Sequence, residues 1–266
     1  MKSFAQAWTG VALMAAAGCS LAVNPRPAPL RGLWERPAIE SFLRTADIVS
    51  VDKDSESGRT LPWRVKLGKN GLRAEGVFKY IRRARPHAMA ADYRYELAAY
   101  ELSRMVDKDI VPPTIERVID GVRGSLMYFV PGCLTERDRE RTNLAPPDLQ
   151  AFLNQMDDIL VFEILAGAAC QAKDDILIHK DTWTVCRIDF SEAFVTTPGI
   201  AVNCQMRRIS RHLFGHLQKL TRPKLADRLR PYLGPEEITA VWERARLMTA
   251  RFKDLIKEKN EAEVLF

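Results

Sequence analysis

The stretch Cys170–Phe190, "CQAKDDILIHKDTWTVCRIDF", contains two short apolar runs on either side of a turn. This pattern predicts a β-hairpin. Asp174 and Asp175 precede the first run, and Asp189 ends the second. Carboxylate oxygens at one end of a hairpin are ligands that Mg²⁺ prefers, and Mg²⁺ in turn binds phosphate. The stretch therefore predicts a hairpin that holds a metal and a phosphate.

Strand patterns lie mostly before this hairpin. The runs "LPWRVKL" and "LRAEGVFKYI" alternate around Asn70-Gly71, which predicts a hairpin over residues 63–79. "TIERVI" and "SLMYFV" flank Asp120-Gly121 and predict a second hairpin. An amphipathic helix over about residues 91–106 separates the two.

Helical patterns dominate the second half of the chain. The strongest runs from Asp148 to Ala169 and starts after Pro146-Pro147. Further helices are expected at about 205–220, 224–232 and 235–257. Strands followed by helices predict an α+β fold with two lobes.

Composition agrees with a folded protein and leaves the partner open. The 266 residues are 47% hydrophobic and 28% charged, which allows a sizeable core. A net charge of +6 and a pI near 9.1 favour anionic partners such as nucleotides, acidic proteins or anionic lipid. The basic clusters at 81–85 and 206–211 lack interleaved aromatic residues, so no nucleic-acid partner is expected.

The N-terminus predicts export from the cytoplasm. Residues 1–18 contain Lys2 and a short apolar run, and they end in Ala-Ala-Gly before Cys19. This is a signal-peptide pattern with an end that is similar to a bacterial lipobox, in which Cys19 would carry lipid. We therefore expect a lipoprotein anchored in the bacterial cell envelope on the periplasmic side. An ordinary signal peptide or an uncleaved N-terminal helix is the alternative. The Pro-rich residues 24–32 favour a tether over 19–45, followed by a short helix.

Four other cysteines have no spacing typical of a metal site: Cys133, Cys170, Cys186 and Cys204. Four cysteines allow three full pairings, and an oxidising compartment would permit one or two disulfides. We favour the simpler interpretation of four separate buried thiols.

The order of these elements resembles the protein-kinase-like fold. A strand ending in "VFK", a helix with a glutamate, a strand pair leading to a linker, a long helix, and a hairpin ending in "IDF" follow in that order. The stretch "YRYELAAYELSRMVDKDIVPPTIERVIDGVRGSLMYFV" is similar to atypical bacterial kinase-like proteins of the HipA and phosphoinositide-kinase branch. The resemblance covers residues 60–200 and implies an N-lobe at 46–130 and a helical C-lobe at 131–266.

The resemblance also implies roles for individual residues. Lys79 would hold the α- and β-phosphates of ATP and pair with Glu96. Asp175 and Asp189 would bind Mg²⁺, so ATP and Mg²⁺ are the expected ligands. The linker from Met127 to Val130 would present its backbone to adenine.

The chain departs from the family pattern where the catalytic aspartate is expected. Cys170 and Gln171 stand in place of the usual Asp-Arg pair, five residues before Asp175 in the metal-binding Asn position. A thiol, with an ordinary pKa of about 8.5, does not accept a substrate proton as a carboxylate does. Three interpretations remain open. The protein is a pseudokinase that binds ATP–Mg²⁺ or a protein partner, an active atypical phosphotransferase with Asp174 or Asp175 as the base, or a non-enzymatic interaction module.

Overall fold

A computed structural model describes residues 36–54, 61–83, 91–197, 199–200 and 204–266. The strands are β1 (Asp47–Asp52), β2 (Trp63–Lys69), β3 (Leu72–Lys79), β4 (Arg82–Arg83), β5 (Ala91–Asp92), β6 (Thr114–Ile119), β7 (Val122–Tyr128), β8 (Cys133–Thr135), β9 (Ile176–His179) and β10 (Val185–Arg187). The helices are α1 (Arg36–Thr45), α2 (Arg94–Met105), α3 (Glu136–Arg141), α4 (Leu149–Ala166), α5 (Arg211–Leu217), α6 (Arg222–Leu229), α7 (Pro235–Glu258) and α8 (Glu261–Val264).

The N-terminal lobe is an antiparallel sheet in the order β1-β2-β3-β7-β6. Both predicted hairpins are confirmed, since β2 pairs with β3 and β6 pairs with β7. Asn70 and Gly71 have φ values of 50° and 75°, and Asp120 and Gly121 have 50° and 77°. Positive φ at both central residues is what the tightest hairpin turns require, and Asn-Gly and Asp-Gly adopt it readily.

Helices α1 and α2 are buried in two different hydrophobic cores. Helix α1 buries Ile39, Phe42 and Leu43 in the core of the sheet. Helix α2 contributes Tyr100 and Leu102 to the larger core of the helical lobe instead. Helix α2 therefore contacts both lobes, and its residue Glu96 lies near the boundary between them.

The C-terminal lobe is built around α4, the long helix that the sequence predicts. The Asp148 carboxylate accepts a hydrogen bond from the Ala151 amide at 2.9 Å and caps its first turn. The second half of α4 is buried from Asp158 to Ala166 and packs against α7. The predicted two-lobed α+β arrangement is thus observed.

The hairpin of residues 170–190 is present and is part of a small sheet. Strands β9 and β10 pair antiparallel, with Ile178 opposite Val185. Strand β8 adds to the outer edge of β9, which the sequence does not predict. The hairpin lies between the lobes. Asp175 and Asp189 are at one end of it, and His179 is at the other end.

Two helix predictions are wrong at their starts. Helix α5 begins at Arg211, after Ser210, and not near residue 205. The Asp158 carboxylate accepts the Ser210 amide at 2.9 Å, and Ile209 forms a parallel bridge with Leu265, so the preceding chain is extended. Similarly, the helix predicted from residue 91 begins at Arg94, because Ala91 and Asp92 pair with β4.

Within the part of the chain that the structure describes, no helix has the length and apolar character that crossing a bilayer requires. The predicted signal peptide, Cys19 and most of the tether lie outside the described residues.

Candidate functional site

Lys79 is the last residue of β3 and is only 7% exposed. The neighbouring strand passes very close to it, because a Cβ at Gly124 would lie 2.3 Å from the Lys79 carbonyl oxygen. A buried ammonium group is unfavourable unless anionic partners compensate for its lost hydration. The fold thus requires carboxylates near this lysine.

Two carboxylates meet the lysine. Lys79 Nζ lies 2.7 Å from Glu96 Oε1 and 2.7 Å from Asp189 Oδ1. Glu96 is buried on α2 and also accepts the Phe190 amide at 3.1 Å. Burial alone would lower the pKa of Lys79, but the charges of Glu96 and Asp189 outweigh it and raise the pKa above 10.5. The ammonium group therefore stays charged at neutral pH.

Asp189 lies two residues after the end of β10 and adopts an uncommon backbone conformation, with φ of 60°. Its Oδ1 also accepts a hydrogen bond from the Ser191 hydroxyl at 2.6 Å. Burial opposes ionisation, yet Lys79 and the hydrogen bonds from Ser191 lower the pKa of Asp189 to about 2. Its side chain is 42% exposed, so an ionised carboxylate is open to the space between the lobes.

Asp175 lies at the same end of the hairpin in a different electrostatic environment. Its Oδ2 is 3.3 Å from a guanidinium nitrogen of Arg187. Burial raises the pKa of Asp175 above 3.8, Arg187 opposes the shift, and Asp189 adds to it. Two carboxylates that share one end of a hairpin repel each other, and a divalent cation relieves that repulsion. Their oxygen donors fit Mg²⁺.

A cavity of about 520 Å³ joins these groups. It is lined by Asp52, Pro62, Trp63, Arg64, Val77, Lys79, Met127, Tyr128, Phe129, Val130, Asp175, Leu177, Ile188 and Asp189. The structure therefore brings Lys79, Met127, Val130, Asp175 and Asp189 to one cavity, and it attaches Glu96 to that cavity through Lys79. A volume of several hundred cubic ångströms suits a small organic ligand.

The predicted linker is partly strand. Strand β7 extends through Tyr128, so Met127 lies in the sheet. The amides of Tyr128 and Phe129 donate to the carbonyls of Pro113 and Glu75 at 2.8 and 2.9 Å. These two donors are therefore already engaged within the protein.

Cys170 forms a disulfide with Cys204. The expectation of four separate thiols is therefore wrong for this pair, while Cys133 and Cys186 are free thiols. The prediction failed because cysteines 34 positions apart in sequence give no sign of their distance in space. A disulfide sulfur carries no proton, so Cys170 in this state is neither a base nor a thiolate nucleophile.

A buried ion pair next to Cys170 was not predicted. Arg187 Nε lies 2.7 Å from Glu163 Oε1, and both side chains are at most 2% exposed. The other Glu163 oxygen accepts the Gln171 amide at 2.9 Å. Burial raises the pKa of Glu163, and Arg187 and the Gln171 amide work against that rise. The sequence feature that could have indicated this pair is one acid, Glu163, in the apolar stripe of α4 and one base, Arg187, in the apolar strand "TVCRI".

Asp174 lies away from the cavity. Its carboxylate contacts the Arg137 guanidinium at 2.5 and 2.8 Å, and both side chains are more than 60% exposed. The neighbouring Lys173 pairs with Glu140 at 2.7 Å. These pairs hold the loop against α3, and the structure does not bring Asp174 to the other site residues.

The segment after Asp189 is fixed by a second buried arginine. Arg244 on α7 donates to the carbonyls of Leu165 and Val195 at 3.1 and 2.8 Å. Burial lowers the pKa of Arg244 to about 10. Arg244 therefore ties the end of α4 to the chain that leads away from the cavity.

Comparisons with known proteins give structural likenesses. No protein-family model and no curated protein matches the sequence. The structure of hydra Fam20 with sugar is similar, with a TM-score of 0.68 and 15% identity over 91% of this chain and 95% of that one. The proinflammatory kinase CtkA of Helicobacter pylori gives a TM-score of 0.47 at 10% identity, over 83% of this chain and 97% of that one.

The likeness to Fam20 concerns the fold alone, because the identity is low. The chain has a two-lobed, α+β, kinase-like fold, as the resemblance in its sequence implied. The finer resemblance, to the HipA branch, stays a prediction.

Proposed function

We propose that this protein is a pseudokinase that binds ATP–Mg²⁺ in the cavity between its lobes and transfers phosphate slowly or not at all. One contrast carries the proposal. Lys79 contacts both Glu96 and Asp189 at 2.7 Å, whereas Cys170 is bound in a disulfide. The cavity thus has charges suited to a metal–nucleotide, while a disulfide sulfur stands at the position of the usual catalytic aspartate.

Each residue has a defined part in the proposed binding. Lys79 holds the α- and β-phosphates, and Glu96 keeps its ammonium group in place. Asp175 and Asp189 hold Mg²⁺, which neutralises phosphate charge when bound. Val77, Leu177 and Ile188 line the cavity and offer an apolar surface to the base, with the backbone near Val130 at its edge.

Slow transfer follows from the catalytic position. A positioned base contributes on the order of 10²- to 10⁴-fold to rate, and the disulfide sulfur of Cys170 cannot accept a proton. Gln171, which follows it, has its amide engaged by Glu163 and adds no charge.

One observation favours the alternative of an active, atypical phosphotransferase. Asp175 lines the cavity, and burial raises its pKa, which is the direction that suits a general base. Asp174, the other candidate base, is engaged with Arg137 at the surface. The alternative therefore depends on Asp175 alone.

Calorimetry with ATP tests the proposal. We expect wild-type protein to bind ATP only with Mg²⁺, and Asp189→Ala to abolish binding. Asp181→Ala, at the exposed far turn of the same hairpin, is the matched control and should bind as wild type. Absence of ATP–Mg²⁺ binding in wild type would leave the non-enzymatic interaction module. Measurable phosphotransfer that Asp175→Asn removes would favour the alternative.

Lipid anchoring through Cys19 and a place in the cell envelope, on the periplasmic side, belong to the same proposal. The support is the sequence pattern of residues 1–19. A scarcity of ATP outside the cytoplasm agrees with a protein that binds a nucleotide or a protein partner without rapid turnover. Mass spectrometry of the native protein should find an acylated Cys19 at its N-terminus; residues 1–18 still attached, without acyl mass, would contradict this.

A further inference from the structure

Two histidines and an aspartate meet on the surface, away from the cavity. His212 and His216 lie four positions apart on α5, on one face, with ring centroids 4.6 Å apart. Asp107 follows α2, and its carboxylate lies 3.3 Å from His212 Nε2. One ligand atom from each of the three residues lies within 4.8 Å of the others.

We propose that Asp107, His212 and His216 form a binding site for a divalent transition metal, with Zn²⁺ as the best fit. Two imidazole nitrogens and one carboxylate oxygen are a common ligand set for Zn²⁺. Histidines at positions i and i+4 of a helix present their rings to one ion. The chain has four histidines, and two of them fall within this single helical turn.

The geometry needs only a small contraction. Zn²⁺ binds nitrogen and oxygen at about 2.0–2.2 Å, which places tetrahedral ligand atoms about 3.3–3.5 Å apart. The Asp107 and His212 atoms already meet this spacing. Their side chains are 68% and 47% exposed, so rotation of Asp107 and His212 toward the ion, on the half-buried His216, meets little steric resistance. The same exposure leaves the fourth position to water.

Surrounding charges make Asp107 essential to the proposed site. His216 also lines a cavity of about 550 Å³ with the cations Arg104, Lys219, Lys224 and Arg228, and with Asp227. Arg104 and Arg228 are paired with Glu101, which reduces but does not remove the positive field. The carboxylate of Asp107 is therefore needed to offset repulsion of an incoming cation.

The proposed metal site would link the end of α2 to α5. Asp107 lies two residues after the end of α2, the helix that carries Glu96, while both histidines belong to α5 of the helical lobe. His212 Nε2 already lies 3.0 Å from the Asp107 carbonyl oxygen. A bound ion would strengthen an existing contact between these helices, so metal binding should stabilise the folded state.

Titration of chelator-treated full-length protein with ZnCl₂ tests the site. We expect one Zn²⁺ per chain by calorimetry and a rise in melting temperature. His212→Ala, His216→Ala and Asp107→Asn should each weaken binding at least about tenfold, an effect of the size seen when groups that support a metal are removed. Co²⁺ should give the visible absorption of a low-symmetry site in wild type and lose it in the variants.

Two controls keep the result interpretable. His179→Ala removes a histidine on β9 and should leave Zn²⁺ affinity unchanged. Asp189→Ala should abolish nucleotide binding and leave Zn²⁺ binding intact, so that failure of one proposal is distinct from failure of the other. Absence of Zn²⁺ binding in wild type, or equal binding by a His212→Ala/His216→Ala double variant, would overturn the site. Binding that survives Asp107→Asn at full strength would also overturn it as a three-ligand site.

Discussion

Two regions beside the hairpin of residues 170–190 differ in how their charges are arranged. The first, the Lys79 end, lines the cavity; the second, the Cys170 end, comprises Cys170, Glu163 and Arg187, which do not line it. At the Lys79 end, one buried ammonium group is shared by Glu96 and Asp189 at 2.7 Å. At the Cys170 end, a disulfide and the buried pair of Glu163 and Arg187 hold the loop. The first arrangement suits the proposed binding of a phosphate–metal complex, and the second fixes the loop without offering a base. The two regions are therefore held by different groups, and the contact between Arg187 and Asp175 at 3.3 Å joins them.

The largest expected effect is at the Cys170 end. Glu163→Ala would remove the fully buried partner of Arg187, leave only Asp175 at 3.3 Å to offset its charge, and free the Gln171 amide. We expect a loss of about 3–5 kcal/mol in the free energy of unfolding, the usual result of removing one partner of a buried ion pair. Chemical denaturation measures it.

The matched control is Asp174→Asn, four residues after Cys170. Its ion pair with Arg137 is exposed on both sides, and water screens such a pair, so little change in the free energy of unfolding is expected. Equal losses for the two variants would show that the buried pair has no special structural weight in this loop.

The next effect comes from the disulfide. Cys204→Ser should lower the free energy of unfolding by about 2–4 kcal/mol, because the cross-link restrains the unfolded chain. We expect ATP–Mg²⁺ affinity to stay within about twofold of wild type, since neither Cys170 nor Cys204 lines the cavity. Cys133→Ser, which changes a half-buried free thiol, is the control. A large loss of nucleotide affinity would show that the two ends are coupled.

A smaller effect should appear in the acid dependence of stability. The pKa of Asp189 is lowered to about 2, so its ionised form stabilises the fold above about pH 4 and that contribution is lost as pH falls from 4 to 2. The pKa of Asp175 is raised, so its contribution is full below about pH 4 and is lost as pH rises through that raised pKa.

Denaturation curves from pH 2 to 7 separate the two carboxylates. Asp189→Asn should flatten the acid loss of stability relative to wild type, whereas Asp175→Asn should gain stability at neutral pH. Carboxylates distant from both sites cancel in the differences. Because Asp189 adds to the raised pKa of Asp175, the Asp189→Asn curve also includes a smaller change from Asp175. Parallel curves for the two variants would contradict the opposite pKa shifts.

The smallest expected effect is the change in ATP–Mg²⁺ affinity when an aspartate replaces Cys170. In Cys170→Asp/Cys204→Ser, ATP–Mg²⁺ affinity should match that of Cys170→Ser/Cys204→Ser within about twofold. If Cys170 is what limits transfer, only the aspartate variant should place labelled phosphate on itself or on a bystander protein. Equal labelling of both variants would assign the base to another residue.

The sequence predicts what local chemistry controls. Asn70-Gly71 and Asp120-Gly121 specify hairpins through their backbone preferences, and α4 follows from its apolar spacing. The placement of Lys79, Glu96 and Asp189 came from the order of elements in a resembling family, since 110 positions separate the lysine from the aspartate.

Long-range contacts set the features that were missed. Helix α5 starts late because Asp158, far earlier in the chain, accepts the Ser210 amide. In the sequence, Glu163 is a single acid among the apolar residues of α4, and only the structure shows that it pairs with Arg187. Periodicity reports which face is buried, but it carries no information on which buried charges meet.

The disulfide has a topological consequence. It closes a covalent ring between Cys170 and Cys204, and the ring contains β9, β10, Asp175 and Asp189. A protease that cut the chain once anywhere inside this ring would leave the two fragments joined. The nicked protein would migrate as one species without reductant and as two with it. Both carboxylates would stay covalently attached to the lobes that position them, so a single cut need not cost the protein its ligand.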